Sequence, residues 1–121
     1  MDLSRDREFL KKKEFNIGDI VYFNPKFNPK EEDFTENDEI VFENVDMNRD
    51  MVSTALESIR RNLSFIITDI DEDGDVSIAR KNRVLDRRSN TMKDAVGERM
   101  PYIYPSTIFV DPMGLIVYHR L

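Results

Sequence analysis

The stretch SFIITDIDEDGDVSIAR, residues 64–80, decides the fold. Four of its apolar side chains are predicted to share one face of a β-sheet: Ile66, Ile70, Val76 and Ile78. Because side chains alternate between the two faces of a strand, this arrangement requires Ile70 to lie opposite Val76, and it leaves residues 72–74 as the loop. Gly74 takes the left-handed conformation of such a loop without steric cost. The stretch therefore predicts a β-hairpin.

The acidic residues of the same stretch also match part of a calcium-binding loop. Asp69, Asp71 and Asp73 occupy the first, third and fifth positions of the EF-hand pattern. The twelfth position, where a bidentate glutamate should close the coordination shell, is Arg80, and both flanks are rich in β-branched residues. The hairpin is therefore the preferred interpretation. The three aspartates remain an alternative metal site, and no cofactor is predicted.

Two further segments predict strands. In FNIGDIVYF, residues 15–23, a glycine-aspartate turn precedes a β-rich run. The segment STIFVDPMGLIVYHR predicts a second hairpin, with Gly114 at the left-handed position and Val110 facing Ile116. The chain is therefore expected to be mainly β.

One segment predicts an α-helix over residues 50–63, with Asn48 or Asp50 as its N-cap. Its apolar residues recur at helical spacing: Val52, Leu56, Ile59 and Leu63. Residues 24–46 predict a long surface loop with at most one short strand, at residues 39–43. Residues 81–100 have weak periodicity and predict an irregular excursion with one helical turn.

Length and composition indicate a single globular domain. We expect residues 15–121 of the 121-residue chain to form it, preceded by a tail or short helix over residues 1–14. There is no cysteine, which excludes thiolate metal sites and cysteine nucleophiles and favours the cytoplasm. No apolar run reaches the roughly 20 residues that span a bilayer, and the N-terminus lacks the apolar core of a signal peptide, so no membrane partner is expected.

The net charge of −6 makes the protein acidic, and the charge is distributed unevenly. Residues 31–50 contain nine acidic side chains against Arg49 alone, whereas residues 80–99 contain seven basic side chains against three acidic ones. Separate acidic and basic faces are therefore expected. The acidic segment is a surface for a basic partner, an imitation of a nucleic-acid backbone, or an ordinary solubilising face.

Three segments share a pattern with a known family. The matching residues are Phe15, Gly18, Asp19, Ile20 and Val21, then Ile66, Ile67, Ile70, Asp71, Asp73, Gly74, Asp75 and Val76, then Pro105, Ile108 and Val110. On these residues, roughly a third of the chain, it resembles the small SH3-like β-barrels, including the KOW type. The resemblance implies a small barrel of antiparallel hairpins, here with an inserted helix. SH3-like barrels bind peptides, RNA, DNA and protein subunits, so the fold alone does not select a ligand.

The chain also resembles the short accessory proteins of large tailed phages, which often carry this GD and DGDV pattern. That resemblance implies a host-modulating role exerted by binding. Motifs of known enzyme classes are absent, and the single histidine is His119. A non-enzymatic module that binds another protein is therefore the preferred interpretation. Its predicted contact residues are aromatic: Tyr22, Phe27, Phe34, Tyr102 and Tyr104.

The alternative is a nucleic-acid-binding domain that uses the basic segment 80–99. Basic side chains would contact phosphates while neighbouring tyrosines stack on bases. The predicted phosphate-contacting residues are Arg80, Lys81, Arg83, Arg87 and Arg88. The net negative charge of the chain favours the protein partner over this alternative.

Overall fold

The computed structural model describes residues 12–118 of the chain. The strands are β1 (Lys12–Glu14), β2 (Ile20–Phe23), β3 (Glu39–Phe42), β4 (Val45–Asn48), β5 (Phe65–Ile70), β6 (Val76–Asp86), β7 (Thr91–Tyr104), β8 (Phe109–Val110) and β9 (Ile116–Tyr118), and the helix α1 is Arg49–Arg60. The predicted mainly β class with one inserted helix is confirmed. Residues 12–14 form a strand rather than a tail or short helix, while the prediction for residues 1–11 and the position of His119 lie outside the described residues.

Seven strands form one sheet in the order β1-β9-β8-β2-β5-β6-β7, and β3 pairs with β4 in a separate sheet. Neighbouring strands are antiparallel except β1 and β9, which run parallel. The outer strands β1 and β7 do not pair with each other, so no closed barrel is detected among residues 12–118. The antiparallel hairpin architecture is present without the closure that the family resemblance implies.

Aromatic side chains fill the centre of the core. The Phe23 ring lies edge-on to those of Phe65 and Tyr104, with centroid separations of 5.3 Å and 5.1 Å, and its centroid is 4.7 Å from that of Phe109. Edge-on contacts of this kind are favourable beyond the area they bury. Tyr22, the preceding residue, is only half-buried, because successive side chains of β2 point to opposite faces.

Both predicted hairpins are present. The predicted strand pairs are Ile70 opposite Val76 and Val110 opposite Ile116. Gly74 has a φ of 83° and Gly114 a φ of 86°, and the N–H of each donates to the carbonyl of the aspartate that begins its turn, at 3.1 Å and 2.9 Å. Glycine therefore occupies the left-handed position in each turn, as predicted.

The prediction that Ile66 shares a face with Ile78 is wrong. A β-bulge between Ile67 and Asp69 shifts the register, so that Ile67 lies opposite Ile78 and Ile66 lies opposite Ala79. An extra residue in one strand moves every side chain before it to the other face. Ile66 is nevertheless buried, because the sheet is covered on both sides at this point.

Helix α1 begins directly after Asn48, which is one of the two predicted N-caps. The Asn48 side-chain oxygen accepts a hydrogen bond from the Met51 N–H at 2.9 Å, which satisfies one of the free donors of the first turn. Val52 is fully buried against the strands. The helix ends at Arg60, so Leu63, which was predicted on the same stripe, lies in the following loop.

The short strand allowed at residues 39–43 is present as β3, but the limit of one strand within residues 24–46 is wrong. β3 and β4 form a hairpin through Glu43 and Asn44, whose φ values are 49° and 65°. Two consecutive residues with positive φ are typical of a type I′ turn. Glutamate is uncommon in this conformation, so the sequence lacks the Asn-Gly or Asp-Gly signal that usually predicts such a turn.

Candidate functional site

The prediction of a helical turn within residues 81–100 is wrong, because this segment belongs to two long strands. The pairing of β5 with β6 ends at Phe65 and Arg80. The last backbone hydrogen bond between this part of the chain and β6 runs from the Lys81 N–H to the Ser64 carbonyl, at 3.1 Å. β6 and β7 stay paired beyond this point up to Asp86 and Thr91. Residues 82–95 therefore form a two-stranded hairpin that extends past the rest of the sheet, which we call the arm.

The tip of the arm is a four-residue turn, residues 87–90. The Asn90 N–H donates to the Asp86 carbonyl at 2.7 Å, and the Asp86 carboxylate accepts from the Arg88 N–H at 3.0 Å. Asn90 has a φ of 57°, a conformation that asparagine tolerates better than most residues. Asp86 thus fixes the turn, and Arg87 and Arg88 are exposed at its end.

Apolar side chains are exposed on both faces of the arm. Leu85 lies opposite Met92 on one face, and Val84 lies opposite Lys93 on the other. The exposed fractions are 54% for Leu85, 49% for Met92 and 41% for Val84. An isolated two-stranded hairpin gains little stability in water, and exposed apolar patches mark sites of interaction. The arm therefore exposes apolar surface that its own pairing does not bury, which makes it the candidate site.

Three arginines of the arm are exposed and form no ion pair with any other residue in the range 12–118: Arg83, Arg87 and Arg88. Lys93 of the arm pairs with Asp86 at 3.4 Å, and Lys81, just before the arm, pairs with Asp94 at 3.5 Å. The uncompensated charge of the arm is thus carried by guanidinium groups, which bind carboxylates and phosphates through two parallel hydrogen bonds.

Two of the five aromatic residues predicted to contact a partner lie in the core. Tyr104 is fully buried, and its hydroxyl donates to the Met51 carbonyl at 3.3 Å. Burial raises the pKa of this hydroxyl well above its ordinary range. Phe27 is 8% exposed and packs edge-on against Phe42, with a centroid separation of 5.6 Å. These two rings stabilise the fold and are not presented at the surface.

The other three aromatic residues are half-buried, and each contacts different residues. Tyr22 lines a groove of about 310 Å³ beside the end of α1. The Phe34 ring is covered by Arg49, whose Cζ is 3.9 Å from the ring centroid. The Tyr102 hydroxyl donates to an Asp50 carboxylate oxygen at 3.5 Å. The structure does not bring the predicted aromatic residues together into one surface.

Arg49 ties the acidic segment 31–50 to the start of α1. Its guanidinium donates to the two Glu31 carboxylate oxygens at 2.9 Å and 3.1 Å, and its Nε donates to those of Asp38 at 2.8 Å and 2.9 Å. The hydrogen bond from Arg49 lowers the pKa of Asp38, and the same contact raises the pKa of Arg49. Because these groups are exposed, the contacts orient the loop but contribute little to the free energy of unfolding.

Three carboxylates meet at the tip of the first hairpin. One oxygen each from Asp71, Asp73 and Asp75 lie within 4.8 Å of one another. Asp69, one of the alternative metal ligands, lies outside this group, and its carboxylate accepts from the Ile70 N–H at 3.0 Å. An Asp71 oxygen already accepts the N–H groups of Asp73 and Asp75 at 3.0 Å and 2.9 Å. The flanking elements are strands, so the helices of an EF-hand are absent here.

Replacing Asp75 by asparagine is expected to stabilise the protein slightly at neutral pH, by at most about 0.5 kcal/mol. Burial, followed by repulsion from Asp71 and Asp73, raises the pKa of Asp75. A raised folded-state pKa of an acid means that stability falls as pH rises from the ordinary aspartate pKa through the raised one. The advantage of Asp75→Asn should therefore shrink on acidification. Urea unfolding at several pH values measures it, and Glu72→Gln, outside the three-carboxylate group, is the control.

Comparison with known proteins gave no match: no family model, no curated protein and no solved structure is significantly similar to the chain. Within residues 12–118, no helix combines the length and the apolar character needed to cross a bilayer.

Proposed function

We propose that this chain is a non-enzymatic binding module that engages another protein through the arm. The observation that carries this proposal is the exposure of apolar side chains on both faces of a hairpin that has no further neighbour in the sheet. Leu85 and Met92 form the centre of the surface, and Val84 adds to the opposite face. A partner that encloses the arm would remove both faces from water.

A protein partner suits the charge of the chain better than a nucleic acid does. Residues 80–99 contribute four net positive charges to a chain of net charge −6, so the remainder carries −10. A polyanion approaching the arm would meet repulsion from this remainder. Arginine and methionine are also enriched at protein interfaces, whereas lysine is depleted there, and the unpaired cations of the arm are arginines.

The family resemblance extends this proposal. The glycine-aspartate turn, the Gly74 hairpin and the Pro105 segment support an SH3-like class for the body of the domain. The absence of cysteine supports a cytoplasmic location. The resemblance to phage accessory proteins supports a partner drawn from host machinery, whose function the bound module would modulate.

A photo-crosslinking amino acid placed at Leu85 tests the proposal. We expect it to yield a discrete crosslinked protein in a host extract, because the proposed interface covers this position. The same amino acid at Val41, which is 59% exposed on β3, is the matched control and should yield no such product. Equal products from the two positions, or none from Leu85, would contradict the proposal.

The second candidate function is nucleic-acid binding, and one observation favours it. A two-stranded β-ribbon fits a DNA groove, and the arm presents Arg83, Arg87 and Arg88 without ion-pair partners among the described residues. Contacts to phosphates predict an affinity that falls steeply with salt. A gel shift at low salt that triple glutamine substitution at these arginines abolishes would establish this candidate, and the absence of any shift would remove it.

A further inference from the structure

A second concave surface lies between α1 and the root of the arm. This groove has a volume of about 390 Å³ and is separate from the exposed faces of the arm itself. Three arginines line it, one from the loop after α1 and one from each strand at the root of the arm: Arg61, Arg80 and Arg99. The sequence alone points only to Arg80 among the three, because they are distant in the chain and the fold brings them to one groove.

One of these arginines has an unsatisfied donor. The Nε of Arg80 is buried and makes no hydrogen bond with any described residue. Buried polar groups in native proteins nearly always have a hydrogen-bond partner, and leaving a donor unpaired is costly, more so when the group is charged. An acceptor that reaches this edge of the guanidinium would recover that cost. Arg80 is thus the arginine of the groove whose guanidinium is least satisfied by the described residues.

The charges around the groove favour an anion. Arg61, Arg80 and Arg99 form no ion pair with a residue in the described range. Of the two acidic residues that line the groove, Glu57 is already neutralised by Arg60, whose Nε donates to its carboxylate at 3.0 Å and whose hydrogen bonds lower the pKa of Glu57. Glu98 is exposed. Positive charge is thus in excess.

We propose that this groove binds a phosphate group carried by a side chain of the protein partner. Clusters of arginine are the usual means by which proteins recognise phosphorylated side chains, because the guanidinium fork matches two phosphate oxygens. Ser53 lines the same groove, and a serine hydroxyl is a donor of the kind that phosphate accepts. The half-buried Met100 and the exposed Pro101 supply an apolar wall against which the body of the modified side chain packs.

The assignment of the phosphate to a protein partner depends on the proposed protein-binding function. The existence of a phosphate site does not depend on it. A single phosphorylated side chain carries about two negative charges, which three arginines can compensate. A nucleic-acid backbone would extend its charges across the acidic remainder of the chain. A phosphorylated side chain is therefore the favoured source.

Titration of the full chain with three probes, followed by NMR, tests the inference. The probes are inorganic phosphate, O-phosphotyrosine and a ten-nucleotide oligothymidylate, and the reporter is the Nε–H resonance of Arg80, assigned by its loss in Arg80→Lys. We expect inorganic phosphate to shift this resonance. O-phosphotyrosine should bind several-fold more tightly, because its ring contacts the apolar wall, and oligothymidylate should bind no more tightly than inorganic phosphate at physiological salt.

Substitutions distinguish a specific phosphate site from nonspecific electrostatic attraction to positive charge. Arg61→Gln and Arg99→Gln should each weaken O-phosphotyrosine binding about ten-fold, since each removes a charge-assisted hydrogen bond. Lys26→Gln removes one positive charge outside the groove and should leave the affinity unchanged. A resonance that inorganic phosphate does not move, or equal losses in all three variants, would overturn the phosphate site.

Tighter binding of oligothymidylate than of O-phosphotyrosine would contradict the proposal that the phosphate belongs to a protein side chain. These outcomes differ from failure of the proposed function, which is a missing crosslink from Leu85 and leaves the Arg80 resonance unaffected.

Discussion

Leu85→Ser combined with Met92→Ser is expected to weaken binding to the protein captured through the arm by more than ten-fold. The two side chains lie opposite each other on one face and are each about half-exposed in the free chain. Burying the exposed half of each in an interface contributes roughly 1 kcal/mol per residue. Removing both therefore costs about 2 kcal/mol, which exceeds a ten-fold change in affinity.

The same double variant should leave the body of the domain intact. Neither side chain belongs to the buried core, and β6 and β7 remain paired through their backbones. Calorimetry should therefore give a melting temperature close to that of the wild type. Val41→Ser, an exposed apolar residue outside the arm, is the matched control and should bind normally. Unchanged affinity in the double variant would show that the arm is not the contact element.

Asp111→Ala is expected to destabilise the fold by about 2 kcal/mol, which lowers the melting temperature by roughly 6–12 °C in a domain of this size. The Asp111 side chain accepts the N–H groups of Met113 and Leu115 at 2.9 Å and 2.8 Å, and the residue is only 5% exposed. Alanine would leave both donors without their acceptor, and because both hydrogen bonds are partly buried, water would replace it only in part. Thermal unfolding followed by circular dichroism measures the loss.

The first hairpin supplies a control with the same chemistry. Asp71 accepts the N–H groups of Asp73 and Asp75 in the same pattern, but it is exposed. Water can replace a lost acceptor at an exposed turn, so Asp71→Ala should cost about 1 kcal/mol or less. Asp111→Asn keeps an acceptor oxygen and should lose less than Asp111→Ala. Equal losses from Asp71→Ala and Asp111→Ala would contradict the assigned role of burial.

Features encoded by a few neighbouring residues could be predicted from the sequence. Gly74 and Gly114 specify their turns because the required conformation is local, and the Asn48 cap depends only on the following turn. The β-bulge before Asp69 could not be predicted, because it depends on how β5 fits β6. The hairpin through Glu43 and Asn44 was missed because its turn lacks glycine.

The arm could not be predicted because the usual signal for a strand is absent from it. Strands are recognised by alternation of apolar and polar side chains, which arises when one face is buried and the other is wet. Both faces of residues 82–95 are largely exposed, so apolar and charged residues occur on each without regular alternation. The basic character of the segment was visible in the sequence. Its apolar contact residues and the groove of Arg61, Arg80 and Arg99 required the pairing of β6 with β7.

Within residues 12–118, β7 is an outer strand of the sheet, and its unpaired edge has a consequence for behaviour in concentrated solution. A long exposed edge is a template on which a second copy of a strand can add, and such stacking leads to aggregates. An antiparallel copy of β7 centred on Val96 would place Asp94 against Glu98 and Lys93 against Arg99, so that like charges repel at both pairs. Pro101 lacks the N–H that continued growth along the edge would use. Charge repulsion in this register and the proline together oppose the pairing of two copies of the chain through β7.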